Sequence, residues 1–195
     1  MTQPPAIAVL EFGSVAVGTR VADAMLKKAP LDTFRVGTVH PGKYVVLIGG
    51  SDAAVDEAYV EGLRLGGECL VDQVRLSDVH PQVYEAVGGA RREICGDTLG
   101  VLESDGLAAT VVAADRAVKT AEVTIVEIRL GDGLGGKGLI YLSGLVRDVQ
   151  VAVEAGLAAA QRPGVAMCHT IIPVVDEELR KSIDRSTRFD AESGA

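Results

Sequence analysis

Residues 130–138 read LGDGLGGKG, with five glycines in nine positions. Gly131, Gly133 and Gly136 match G-x-G-x-x-G, and Gly131 to Lys137 match G-x-x-x-x-G-K. Either pattern marks a nucleotide site when it leads from a strand into a helix N-terminus, where free N–H groups and the helix dipole meet phosphate. The fold therefore depends on what lies on each side. VTIVEIRL (123–130) enters the stretch and KGLIYLSG (137–144) leaves it, and both read as strands. Gly138 stands where a phosphate loop needs Ser or Thr for magnesium. The stretch is a strand-to-strand turn, and both nucleotide matches are accidental.

An internal repeat supports this reading. Ala8–Glu11 recurs as Gly100–Glu103, 92 positions on, and the same offset carries Asp23, Lys27 and Ala29 onto Asp115, Lys119 and Ala121. Beyond an insertion the offset is 94, carrying Gly42-Lys43 onto Gly136-Lys137, Gly50 onto Gly144 and Gly62-Leu63 onto Gly156-Leu157. One domain has been duplicated in tandem. The partner of the glycine stretch is VHPGK (39–43), which keeps only Gly-Lys.

Each copy predicts the same elements. First strands span 6–12 and 98–103. Amphipathic helices span 15–28, closed by Pro30, and 107–120. Two strands follow in each half, at 33–39 and 43–48, then 123–130 and 139–142. Second helices cover 52–65 and 146–160, and last strands cover 69–76 and 165–172. Short helices end the copies at 81–87 and 176–183. The order β-α-β-β-α-β plus a short helix is α+β and ferredoxin-like, with helices on one side of an antiparallel sheet. The domains are 6–87 and 98–184. Residues 88–97 (GGARREICGD) are a polar linker, and residues 185–195 form a flexible tail without apolar pattern.

Composition narrows function. The 195 residues are 48% hydrophobic but only 4% aromatic, without Trp, so the core is aliphatic. A net charge of −8 with no long basic run argues against nucleic acid. No apolar run reaches the about 18 residues of a membrane span, and the N-terminus lacks the pattern of a signal peptide. Both point to the cytosol. Cys69, Cys95 and Cys168 are odd in number and widely spaced, so they form neither a disulfide framework nor a zinc finger; they read as two buried thiols and one in the linker. Glu11 and Glu103 end matching strands and belong to the fold rather than to acid–base chemistry. His80 precedes Pro81 at a helix start, and His169 lies in a last strand beside Cys168. No nucleophile–base pairing is present, and the chain reads as a non-enzyme.

The second half, from VLESDGLAATVVAADRAVKT (101–120) through GGKGLIYLSG (135–144) to CHTIIP (168–173), resembles the bacterial microcompartment (BMC) shell domain. The marks are Val-Leu-Glu in the first strand, Ala-Ala-Asp-x-Ala-Val-Lys in the first helix, the glycine turn and Ile-Pro in the last strand. VLEFGSVAVGTRVADAMLKKA (9–29) is a more divergent copy. Two copies in this order resemble the tandem-domain, non-permuted shell proteins, in particular those of propanediol-utilisation compartments.

The resemblance implies a homotrimer imitating a hexameric tile, placed with other shell proteins in a compartment of the bacterial cytoplasm. It implies a central pore for small metabolites, lined by His40, Pro41, Gly42 and Lys43 and by Gly131, Asp132, Gly133, Leu134, Gly135, Gly136 and Lys137. Lys27 and Lys119 would lie at tile edges. Val174 and Asp176 replace the arginine and histidine usual after Ile-Pro, which alters the edge of the second half. Some tandem members hold an iron–sulfur cluster through a cysteine at the first turn. His40 stands there instead, which disfavours the cluster. Three imidazoles would offer a weak metal site, but plain pore lining, with a charge that changes near neutral pH, is the reading adopted. No cofactor is expected. The rival class is a ferredoxin-like sensor of small ligands.

Overall fold

The computed structural model describes residues 5–189. Within them the duplication is visible as two four-stranded antiparallel sheets. The first domain comprises β1 (Ala6–Phe12), α1 (Val15–Lys28), β2 (Thr33–Val39), β3 (Lys43–Gly50), α2 (Asp52–Gly66), β4 (Leu70–Leu76) and α3 (Pro81–Val87). The second comprises β5 (Thr98–Ser104), α4 (Leu107–Thr120), β6 (Thr124–Leu130), β7 (Gly138–Gly144), α5 (Val146–Ala160), β8 (Met167–Ile172) and α6 (Glu177–Arg185). Strand orders are β2-β3-β1-β4 and β6-β7-β5-β8. The registers repeat too: Phe12 opposes Tyr44 as Ser104 opposes Gly138.

Local chemistry sets the helix ends. Ser14 and Ser51 accept N–H bonds in the first turns of α1 and α2, and Asp176 does the same for α6. His80 turns out to be a cap: its Nδ1 accepts from Gln82 N at 3.3 Å, and Pro81 occupies the first helical position.

Alternation in β1 splits the core. Ala6, Ala8, Leu10 and Phe12 meet α1 and α2, whereas Ile7 and Val9 join a core built largely from the second domain. The first sheet is thus covered on both faces, not on one. The added cover is α4, which has buried residues all round. Asp115 on α4 is buried and accepts the His80 N–H at 2.8 Å, which joins the two domains through a charged acceptor.

The linker is fastened as well. Ile94 is buried, its N–H donates to Asp184 Oδ1 at 2.8 Å, and Arg91 donates to the Ile183 carbonyl at the end of α6. Thr187 and Arg188, read as tail, are held against β6 and the turn after it: Thr187 Oγ1 donates to Glu127 at 2.5 Å, and Arg188 pairs with Asp132 at 2.8 Å. The rest of the expected tail, 190–195, lies outside the described residues. The cysteines also differ from expectation. Cys69 is half-buried, and Cys168 of β8, opposite Glu103, is exposed.

The two copies have exchanged one packing pair. In the first domain small Gly18 on α1 receives Tyr44 of β3; a Cβ on Gly18 would lie 2.6 Å from the ring. At the equivalent positions Thr110 lies on α4 and Gly138 on β7, where a Cβ would collide with the Thr110 side chain. Gly138→Ala is therefore expected to cost about 1–3 kcal/mol through overpacking. The cost should fall sharply in a Thr110→Gly background, as read from urea midpoints; equal costs in both backgrounds would refute the exchange.

Candidate functional site

The two strand-joining turns come together at one end of the seam between the domains. His40-Pro41-Gly42 joins β2 to β3, and Gly131–Lys137 joins β6 to β7. The first turn is closed by Gly42 at φ +78°. The second needs four left-handed residues, Gly131, Gly133, Gly135 and Gly136, at φ between +61° and +88°, a conformation that side chains with a Cβ resist. Its own main chain closes it: Gly131 N donates to the Lys137 carbonyl at 2.9 Å.

Packing between the turns adds a second demand for glycine. A Cβ on Gly136 would strike the His40 carbonyl, and one on Gly131 would lie 3.0 Å from Val39. The glycine density that imitated a phosphate loop thus comes from curvature and close approach. His40 is exposed. Among the described residues no three His, Cys, Asp or Glu side chains gather as a metal site.

The turn lysines are paired in both copies. Lys43 Nζ lies 2.6 Å from Glu11, whose carboxylate is almost wholly buried, and Lys137 Nζ lies 2.7 Å from Glu103. The bond to Glu103, followed by the charge of that carboxylate, raises the Lys137 pKa. In the second turn Asp132 pairs with Arg188 at 2.8 Å, and its carbonyl accepts from Arg129 at 2.8 Å. Sequence reading found the lysines and Asp132 but missed these partners. The matching of Glu11 with Glu103 and of Lys43 with Lys137 was the available signal.

Lys27 and Lys119 occupy equivalent helix positions in different surroundings. Lys27 is exposed and pairs with Asp23 at 2.6 Å. Lys119 pairs with Asp115 at 2.8 Å and donates to the Asp78 carbonyl, so it sits on the seam.

Two α+β domains in tandem, with their glycine turns facing each other, set the architecture that any relative must share. The BMC domain model matches residues 6–82 and 98–175. The chain belongs to the bacterial microcompartment domain family and is a shell protein of its tandem type. It is 36% identical over 174 residues to the microcompartment shell protein PduT of Citrobacter freundii, covering 89% of this chain and 95% of that one. A microcompartment protein from Desulfitobacterium hafniense superposes with a TM-score of 0.83 at 38% identity, covering 91% and 99% of the two chains. A fused, permuted hexameric shell protein from an RMM microcompartment superposes less well, with a TM-score of 0.59 at 25% identity over 80% of this chain and 83% of that one. The copies here are unpermuted. As a shell protein of this family the chain is a structural component rather than an enzyme. Among the described residues no helix is long and apolar enough to cross a membrane.

The lysine–carboxylate pair gives a test. Because the Lys137 pKa is raised above its ordinary 10.5, the pair adds stability below that value and loses it as pH rises through the folded value. The group is exposed, so the effect on stability is small. Glu103→Gln is expected to return Lys137 to its ordinary range in an NMR titration of the lysine side chains. No movement of its titration would remove the pairing.

Proposed function

We propose that three copies close into a pseudohexameric tile whose central pore carries small metabolites through the shell. Its rim is formed by His40–Lys43 and Gly131–Lys137 of each copy. One observation carries this reading. α1 and α4 are equivalent helices, yet Leu107 and Val118 of α4 are buried while their counterparts on α1, Val15 and Leu26, are 39% and 46% exposed. Helix α4 reaches full burial by packing on the first sheet. Among the described residues α1 has no such sheet within its own chain, and the outer face of the second sheet is incompletely covered. Repeating the internal contact between chains places α1 of one copy on the second sheet of the next, and three such steps close a ring. The place of the chain beside other shell proteins follows from its family.

Native mass spectrometry is expected to show a trimer, and Leu26→Glu to release folded monomers with an unchanged far-ultraviolet spectrum. A monomeric native protein, or a trimer indifferent to Leu26→Glu, would sink the tile. Co-expression with partner shell proteins should give flat sheets or closed shells in electron micrographs.

The proposed rim works without a resident cofactor. An imidazole at position 40 does not supply the thiolate that iron–sulfur clusters prefer. Three His40 rings around the axis would suit a zinc-like ion by donor type, but among the described residues no group of His, Cys, Asp or Glu gathers with each one. Lys27, exposed on α1, is assigned to the tile edge. Lys119, held on the seam, shares its helix position. Metal analysis of the native protein and of His40→Ala is expected to give equal contents, and metal lost with the imidazole would overturn the cofactor-free rim.

A further inference from the structure

A cavity of about 390 Å³ lies between the two domains beside the turns, sharing only Asp132 with them. Its size is that of a site for a small organic molecule. Two edge strands wall it: β2 with the consecutive residues Val36–Val39, and β6 with Ile128–Leu130. Neighbouring side chains on a strand point to opposite faces, so consecutive wall residues mean that the strand edges themselves are turned to the cavity. Such edges carry main-chain N–H groups outside the ladder.

The wall is also rich in cations. Arg35, Arg91, Arg129 and Arg188 line it against only Glu127 and Asp132. Both carboxylates are already engaged, Glu127 by Arg91 at 3.2 Å and Thr187, and Asp132 by Arg188 at 2.8 Å. Among the described residues Arg35 and Arg129 have only neutral partners. Arg35 donates to the Val87 carbonyl at 2.7 Å. Arg129 donates to the carbonyls of Asp132 and Thr187, is only 8% exposed, and its Nε is buried without a hydrogen-bond partner. The chain as a whole carries −8, yet here it buries a guanidinium without a counter-charge. A buried charge of this kind is costly unless something pairs with it.

We infer that the interdomain cavity is a binding site for a small organic anion, a carboxylate or a phosphate, received by Arg35 and Arg129. A planar guanidinium is suited to bidentate contact with either group. Ligand here would sit against Val39 and Leu130, the residues that lead into the two turns. The inference stands on the single chain and does not depend on the tile.

The test is calorimetric titration of the full chain with sodium phosphate and, separately, sodium succinate, at ionic strength held constant with sodium chloride. Saturable binding of one anion per chain is expected from at least one of them, and the responding anion identifies the ligand class. Arg35→Gln, at an exposed side chain bonded to the Val87 carbonyl, should weaken binding about tenfold or more. Arg129→Gln should do so as well, and Lys137→Gln, outside the cavity, should leave the affinity unchanged. Absence of saturable binding for both anions, or equal affinity in Arg35→Gln, overturns the site.

Discussion

The structure depends on one contact, the packing of α4 onto the outer face of the first sheet. This helix is built from Leu107, Ala108, Ala109, Val111, Ala113, Ala114, Ala117 and Val118, all buried. Small side chains let a helix approach two layers at once: its own sheet and α5 on one side, the neighbouring domain's sheet on the other. Removing Ile7, Val9, Val45 and Leu47 from water on that face is worth about 1.5–3 kcal/mol per side chain. The two domains therefore share a core at their seam rather than hanging as beads on a linker, while the first keeps a second core under α1 and α2. Asp115 fixes the alignment. A carboxylate buried at this seam is tolerable only with its partners in place, the His80 N–H and Lys119, so a slipped contact would leave it unpaired.

Much of this was legible in the chain. The repeat, the strand and helix spans and the strand-to-strand nature of the glycine stretch all follow from period and offset, because each copy reports on the other. Periodicity is weaker on what covers a face. It measures whether an element has an apolar side and says little about which neighbour supplies the second layer. Helix α4 did carry a signal, since LAATVVAADRAVKT is apolar on almost every side while VAVGTRVADAMLKK is not. That difference between equivalent helices is the trace of the seam. Cys168 was misjudged for the same reason: its strand reads as core, but the part of β8 that holds it is exposed.

Side-chain pairing over long separations was hidden. Nothing local to Arg129 indicates that its partners are main-chain carbonyls at 132 and 187, or that Arg35 of the other domain shares its cavity. The exchange of Gly18 and Tyr44 for Thr110 and Gly138 is likewise invisible in either copy alone. Aligning the copies shows both substitutions, but only the packing shows that they compensate.

Duplication also frees the turns to differ. A sixfold ring of identical domains must repeat one turn six times, so any change is imposed at every position around the axis. Two domains in one chain halve that constraint. Here the first turn is short and closed by one left-handed glycine, while the second needs four and leans on the first at the His40 carbonyl. The rim charges are largely matched within the chain, Lys43 by Glu11, Lys137 by Glu103 and Asp132 by Arg188. In the proposed tile, selection at the rim then rests on the width left by the glycine backbones and on their N–H and C=O dipoles rather than on a net field. The longer turn matters more for that width. Its shape is maintained by its own hydrogen bonds and by Arg129 and Arg188 behind it, so the strand that borders the interdomain cavity also supports the rim.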